Sequence, residues 1–393
     1  MSDTARVKRM RAGPSVAIVV TTLTFLTPVI SAQRSYGPGV CGPIDPVYVR
    51  TATETGGQPF PMAPTEIGKS VAIMSESSRG DATMLLWAGG NAADAERAFA
   101  VPIDPSVRRV TFAITFDGRG GGAEIVAPDG TVIQPAASAG DVILNCGRIL
   151  SIDAPAAGVW RVMLTPSERF WIVIHARSDR DILSAEFVRA GGRPGHEGLF
   201  PIRRMPIAGR PATLRVRLSE PEARTPDFLL LSSQGREIQR VALNRVDAEE
   251  FVGEITLPAV PFRVATVGTD DAGAAYQRIY KALFRGETVE VVSSNVDTIK
   301  AGEDTPLTFV VRNHGAKARY RIVATVGAEI LKRVEPPIVD IDANSEQGVN
   351  VWLPAATIEA AGASLELLVV ASSENPSSSS ANSAFHRVSI ERK

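Results

Sequence analysis

Short apolar runs, separated by turns rich in glycine, proline and aspartate, recur along most of this chain. In the stretch 116–174, a glycine-rich turn at 117–122 and a Pro-Asp-Gly turn at 128–130 separate such runs. Just before it, strict alternation places every second side chain on one face of a strand: Val110, Phe112, Ile114 and Phe116. Turns at intervals of about 8 to 12 residues are typical of antiparallel sandwiches. The pattern predicts a mainly β protein of immunoglobulin-like or jelly-roll-like sandwiches.

The same pattern divides the chain into tandem units. It predicts a first sandwich at 81–190, a linker rich in glycine and proline at 191–204, a second sandwich at 205–286 and a third at 287–393. The last unit has about seven apolar runs, as an immunoglobulin-like sandwich of roughly 100 residues does. The length of 393 residues agrees with two to four domains of roughly 100 to 200 residues each.

Residues 33–80 depart from this pattern and predict two short helices. The first covers 48–55, and the second begins near Pro64 and carries an apolar face at helical spacing: Ile67, Val71 and Met74. A segment this short cannot bury enough apolar surface by itself. We therefore expect this helical segment to pack on the first sandwich.

The first 32 residues resemble an export signal. A basic stretch at 8–11 precedes an apolar run at 16–26, which is too short to span a bilayer comfortably. We expect cleavage after Ala32 and a secreted or periplasmic protein, with an uncleaved N-terminal signal anchor as the alternative. No second apolar stretch of about 20 residues follows, so no membrane span is expected in the mature chain.

The chain has two cysteines, Cys41 and Cys146, and both follow the expected cleavage site. In an oxidising compartment an even number of cysteines favours a disulfide between them. Such a bond would tie the helical segment to the first sandwich. Two buried free thiols are the alternative.

Composition and motifs give no support for nucleic-acid binding or catalysis. The 42 basic and 43 acidic residues nearly cancel, so neither nucleic acid nor an anionic membrane is an expected partner. The four histidines are scattered, no Gly-x-Ser-x-Gly elbow occurs, and His196 beside Glu197 lacks the further ligands of a zinc site. We expect no catalytic residues, no cofactor and no metal.

Three tryptophans in the first sandwich, Trp87, Trp160 and Trp171, raise a different possibility. If exposed, their rings can stack on sugars, which makes a carbohydrate-binding module the second functional hypothesis. Each of them lies within an apolar run, however, and that position favours a place in the core.

Several short motifs occur here in an order that resembles one extracellular family. The Thr-Glu-Thr-Gly-Gly-Gln string at 53–58 resembles the tail of a von Willebrand factor A domain. The strings that follow resemble, in order, the region after that domain in hemicentins and related matrix proteins: 101–106, 127–130, 158–160, 262–264 and 276–278. The resemblance covers residues 41 to 285 and implies accessory β-sandwiches and a role in adhesion.

One departure from the family limits what the resemblance implies. An A domain holds its metal through an Asp-x-Ser-x-Ser loop, because a hard cation needs several oxygen ligands. The nearest string here has Asp104 and Ser106, but Arg108 stands in the place of the second serine. We therefore expect a non-enzymatic exported binding or adhesion protein whose ligand is a protein or a glycan outside the cytoplasm. An accessory subunit of an envelope complex is a further alternative.

Overall fold

The computed structural model is mainly β, with antiparallel sheets stacked as sandwiches and short helices near the N-terminus, which confirms the predicted fold class. The predicted export signal lies outside the described residues. None of the helices within these residues is long and apolar enough to cross a bilayer. The described residues are 41, 44–77, 82–91, 98–118, 121–136, 140–165, 169–202, 205–220, 225–301, 304–360, 364–375 and 380–391.

The first sandwich buries one face of each of its sheets. Strands β1, β8, β3, β6 and β5 form one sheet, and β2, β7 and β4 form the other. Val110, Phe112, Ile114 and Phe116 all lie in the core between them, as their alternation predicts. The strands are β1 (Thr83–Asn91), β2 (Ala98–Ile103), β3 (Val107–Asp117), β4 (Gly122–Val126), β5 (Asp141–Leu144), β6 (Gly147–Asp153), β7 (Gly158–Thr165) and β8 (Arg169–Ser178).

The N-terminal segment covers part of the opposite face of β3. It consists of α1 (Pro46–Glu54), a 3-10 turn (Pro64–Lys69) and α2 (Ser70–Ser77). Ile73 is buried there in a small cluster with Ala113 of β3 and Ile149 of β6, so the segment does pack on the first sandwich. A disulfide joins Cys41 to Cys146, whose Cα atoms are 6.3 Å apart, and fixes the start of the segment to the β5–β6 turn.

The apolar face predicted for the second helix is wrong in detail. Ile67, Val71 and Met74 are 72, 74 and 64 % exposed, and Ile73 is the residue that packs inward. The helical period does not run through from Ile67, because a 3-10 turn has three residues per turn and not 3.6. The buried carboxylate of Glu66 sets the orientation, since it accepts hydrogen bonds from the backbone of Ala63 (3.1 Å) and Asn145 (2.8 Å).

The second sandwich has a five-stranded sheet in the order β10-β9-β11-β15-β14. This sheet faces strands β13, β12, β16 and β17, and the core between them includes Leu214, Phe228 and Phe251. The sequence pattern assigns β9 to the end of the first sandwich and residues 198–201 to a linker, but β9 pairs with β10 and β11. The strands are β9 (Ile182–Gly191), β10 (Gly198–Pro201), β11 (Pro211–Leu218), β12 (Asp227–Ser232), β13 (Glu237–Val241), β14 (Asn244–Arg245), β15 (Glu250–Thr256), β16 (Phe262–Thr269) and β17 (Ala275–Ile279).

The first two sandwiches share one sheet. Strand β1 pairs with β17 at Met84 and Ile279, so that among the described residues a nine-stranded sheet runs β13-β12-β16-β17-β1-β8-β3-β6-β5. We call it the shared sheet. Backbone hydrogen bonds across the β1–β17 pair join strands that are far apart along the chain, and this makes the two sandwiches one continuous structure.

The third sandwich has its own core between the sheet β18-β20-β25-β23 and the sheet β19-β27-β26-β21-β22, with β24 paired to β21. A short helix, α3 (Ala355–Ala360), follows β25. The strands are β18 (Val289–Val292), β19 (Thr298–Lys300), β20 (Thr305–Asn313), β21 (Ala318–Val326), β22 (Glu329–Ile330), β23 (Val334–Glu335), β24 (Ile338–Ile341), β25 (Ser345–Leu353), β26 (Ser364–Ser373) and β27 (Ala381–Glu391).

Candidate functional site

A buried arginine joins the first and second sandwiches. Arg278 of β17 donates from Nη2 to the Asp104 carboxylate (2.7 Å) and to the hydroxyls of Ser106 (3.0 Å) and Ser178 (2.8 Å). Its Nε donates to the carbonyl of Arg180 at 2.8 Å. Asp104 and Arg278 are both fully buried, so this ion pair is shielded from solvent.

This network explains what the Asp-x-Ser string does here. Burial by itself raises the pKa of Asp104, but the charge of Arg278 and hydrogen bonds from Ser106 and Arg278 outweigh burial and hold that pKa below its ordinary value. The oxygens of Asp104 and Ser106 thus surround a guanidinium. Within the described residues no group of three or more His, Cys, Asp or Glu side chains is arranged to hold a metal ion.

The three tryptophans proposed as a ligand surface are buried, with 3, 3 and 5 % of Trp87, Trp160 and Trp171 exposed. Trp160 lies in the first core, where its ring centroid is 5.6 Å from that of Phe112 and its Nε1 donates to the Ala156 carbonyl at 2.9 Å. It is a core residue, and its assignment to a ligand surface was wrong.

Trp87 and Trp171 lie on the face of the shared sheet that points away from the first core. The guanidinium of Arg263 lies 4.9 Å from the ring centre of Trp87, and that of Arg169 lies 5.6 Å from the ring centre of Trp171. Cations therefore cover these rings. Because both side chains are almost completely buried, the prediction of sugar stacking on these tryptophans was also wrong.

A cleft of about 630 Å³ lies between the second and third sandwiches. The second sandwich contributes residues from β9, β10 and the loop after β10, and the third contributes residues from β18 and β27. The walls include Arg189, Pro201, Met205, Glu290, Ser293 and Phe385.

Two exposed side chains line this cleft. Phe385 is 55 % exposed although it lies in the middle of β27. Arg189 is exposed and has no ion-pair partner in the part of the chain that the structure describes. Glu290, in contrast, lies 3.0 Å from Nε2 of His314 and 3.9 Å from Arg312. The cleft thus offers an aromatic ring and an unpaired cation.

Hydrogen bonds at the joint hold the walls of the cleft together. The carboxylate of Glu287 accepts from the Ser380 hydroxyl (2.8 Å) and the Ala381 backbone (3.0 Å), and its carbonyl accepts from Ala208 at 2.9 Å. Burial raises the pKa of Glu287 despite these bonds. Arg210 and His314 add a contact across the joint at 3.2 Å.

Sequence reasoning missed this cleft, although one signal for it is present. In β27 the inward positions Asn382, Ala384 and His386 are buried, whereas Phe385 occupies an outward position between Ser383 and Arg387. An aromatic residue on an otherwise polar outward face is the pattern that identifies an exposed contact residue. Arg189, on a strand almost 200 residues away, gives no signal of its own.

The comparisons with known proteins show only weak similarity. No family model matches this chain. Hemicentin-1 of Mus musculus is 24 % identical over 247 residues, which are 61 % of this chain. The chain spans only 4 % of the length of that relative. This match agrees with the resemblance of the sequence to hemicentin-like proteins, whereas an A-domain tail at 53–58 stays a prediction.

The solved structures that match this chain include a DUF4785 family protein from Legionella pneumophila, at 11 % identity and a TM-score of 0.41 over 75 % of this chain and 87 % of that one. Another is a tetra-tandem repeat from the extending region of a large adhesion protein, at 10 % identity and a TM-score of 0.19 over 78 % of this chain and 74 % of that one. Both TM-scores are low, and no argument about function rests on them.

Proposed function

We propose that this chain is a non-enzymatic exported protein of adhesion type, which holds a protein partner in the cleft between its second and third sandwiches. The observation that carries the proposal is the presence of two exposed side chains, the aromatic ring of Phe385 and the cation of Arg189, in a cleft with hydrogen-bonded walls. The weak similarity to hemicentin-1 supports a role among extracellular β-sandwich proteins.

The size and chemistry of the cleft support binding. A volume of about 630 Å³ lies in the range of roughly 300 to 1,000 Å³ that is usual for ligand sites. Aromatic residues and arginine are enriched at the centres of protein interfaces. Because Glu290 already has basic neighbours, the unpaired charge in the cleft is the positive charge of Arg189. The complementary partner is a protein segment with an acidic side chain next to an apolar one.

Export is part of the proposal. The apolar run at 16–26 and the small residue Ala32 support an N-terminal signal that is removed outside the cytoplasm. N-terminal sequencing of the protein recovered from culture medium or periplasm is expected to begin at Gln33. A chain recovered with Met1 intact would instead support the signal anchor.

The binding test uses a panel of purified extracellular matrix proteins and a glycan array, with the wild-type protein and two variants. Phe385→Ser is expected to weaken binding to a matrix protein at least about tenfold, because an aromatic contact at an interface centre contributes more than about 1.4 kcal/mol. Leu183→Ser is the matched control, since Leu183 is equally exposed on β9 but does not line the cleft.

Four outcomes contradict the proposal or a part of it. Absence of binding to every protein on the panel removes the adhesion role, and equal weakening by both substitutions removes the cleft as the site. Binding to glycans alone would return the carbohydrate hypothesis with a surface other than the tryptophans. The non-enzymatic part fails if purified protein carries a hydrolase activity that substitution of a single His or Asp abolishes.

A further inference from the structure

The sheet of β2, β7 and β4 in the first sandwich has one face in the core and one face toward solvent. Val101, Ile125, Trp160 and Val162 point into the core. Because successive side chains of a strand alternate between faces, the residues between them point outward. We call this outward side the β7 face. Its apolar members are Ala100, Pro102, Val126, Val132, Val159 and Met163.

The apolar character of the β7 face is unusual for a sheet surface in contact with water. Val159 and Met163 of the central strand are 45 and 37 % exposed. An antiparallel sheet with a solvated face normally carries polar side chains there. The outward side of β20 and β25 shows the ordinary case, since Thr308 hydrogen-bonds to Asn350 and Arg312 pairs with Glu346. A contiguous apolar patch suits the β7 face to contact with another protein surface.

Two opposite charges lie within this apolar surface. Arg161 of β7 lies opposite Val126 of β4, and Glu124 of β4 lies opposite Met163 of β7, so the two charged residues are diagonal neighbours. Both are exposed. Neither side chain has a hydrogen bond or an ion pair with any part of the chain that the structure describes. The β7 face thus presents one cation and one anion, and each lacks a counter-charge.

We propose that the β7 face binds the β7 face of a second copy of this chain. A twofold interface uses the same patch on both copies. A twofold axis that lies in the plane of the contact, midway between Arg161 and Glu124, sets each Arg161 opposite Glu124 of the second copy. A partner with charges of one sign would pair with only one of the two residues. The apolar side chains then pack between two sheets about 10 Å apart, as in a sandwich.

The size of the β7 face determines how strong the dimer is. Three strands about 4.8 Å apart, with three outward rows about 6.8 Å apart, cover roughly 300 Å². A stable interface buries about 800 Å² on each partner. We therefore expect a weak dimer with a dissociation constant of about 100 µM. The β7 face belongs to the first sandwich, so this dimer does not depend on the function proposed for the cleft.

Sedimentation velocity of the purified full-length protein, at about 10 to 500 µM and low ionic strength, tests the proposal. Arg161→Glu and Glu124→Arg each place like charges opposite each other, twice in every dimer. Each variant is expected to raise the dissociation constant at least about tenfold. The variant with both substitutions exchanges the two charges, so its dissociation constant is expected to return to within about threefold of the wild-type value.

A further pair of variants tests the apolar contact. Met163→Gln keeps the length of the side chain and is expected to weaken the dimer at least about tenfold, because each dimer loses this contact twice. Ile330→Gln is the matched control, since Ile330 is 64 % exposed on β22 of the third sandwich. This control is expected to dimerise as the wild type does.

Three results overturn the proposal. Protein that stays monomeric at every concentration shows that the β7 face does not bind a second copy. A dimer that Met163→Gln leaves unchanged forms through another surface. A double charge variant that dimerises no better than the single ones shows that Arg161 and Glu124 do not face each other. Should the double variant fail to fold, the comparison of Met163→Gln with Ile330→Gln decides alone.

Discussion

Removal of the Asp104 carboxylate tests how strongly the first and second sandwiches depend on their buried ion pair. In Asp104→Ala, Arg278 loses the carboxylate that lies 2.7 Å from its Nη2 and keeps the hydroxyls of Ser106 and Ser178. Loss of one partner from a buried pair costs about 3 to 5 kcal/mol, because the remaining charge stays desolvated. That is a large part of a typical free energy of unfolding of about 5 to 15 kcal/mol.

Urea unfolding at pH 7, followed by tryptophan fluorescence, measures this loss. With a denaturant slope of about 3 kcal/mol per molar, the midpoint of the transition that includes the shared sheet is expected to fall by about 1 to 2 M. The control is Asp153→Ala, which breaks an ion pair with Arg109 at 3.0 Å in which Asp153 is 76 % exposed. Its expected cost is below about 1 kcal/mol, since solvent screens an exposed pair.

Two further measurements separate the charge from the packing. Arg278→Met added to Asp104→Ala is expected to recover much of the loss, because the unpaired cation is gone. The lowered pKa of Asp104 means that its contribution is complete above the ordinary carboxyl pKa of 3.8 and is lost as pH falls through the still lower folded value. The difference between wild type and Asp104→Ala should therefore shrink in that acid range. A loss below about 1 kcal/mol at pH 7, or a double variant no more stable than the single one, refutes this account.

Three other predictions concern stability. Reduction of the bond between Cys41 and Cys146, which are 105 residues apart, is expected to cost about 4 to 5 kcal/mol of unfolding free energy, and free thiols found in denatured, unreduced protein would contradict the bond. Gly235→Ala should destabilise the protein by about 1 to 3 kcal/mol more than Gly273→Ala. Both glycines have positive φ, but only a Cβ at position 235 would lie 2.2 Å from a backbone oxygen of β1. Equal urea midpoints for the two variants would contradict this. Burial, and to a smaller extent the charge of Lys281, lower the pKa of His175 from 6.5 to about 4. The free energy of unfolding should therefore fall as pH drops from 6.5 towards 4, because the unfolded chain binds a proton that the folded chain does not. An NMR titration midpoint of His175 near 6.5 would refute this prediction.

Local pattern was sufficient for the fold class. The alternation in β3 follows from the two-residue period of a strand, and it correctly placed Val110, Phe112, Ile114 and Phe116 in one core. The period also predicted that short helices precede the sandwiches. The helical period did not predict the buried face of the second helix, because Ile67 lies in a 3-10 turn that has a different period. No residue pattern in the sequence marks this turn.

Alternation states which residues face a core, but it does not state which sheet a strand joins. Strand β9 therefore belongs to the second sandwich although its pattern fits the end of the first, and β1 pairs with β17 across almost 200 residues. Backbone hydrogen bonds form these pairs, and they are nearly independent of side-chain type. The cleft near Phe385 arises only after such pairing brings distant strands together. The sequence alone thus determined the kind of sandwich, and tertiary structure decided how the sandwiches join and where a ligand can enter.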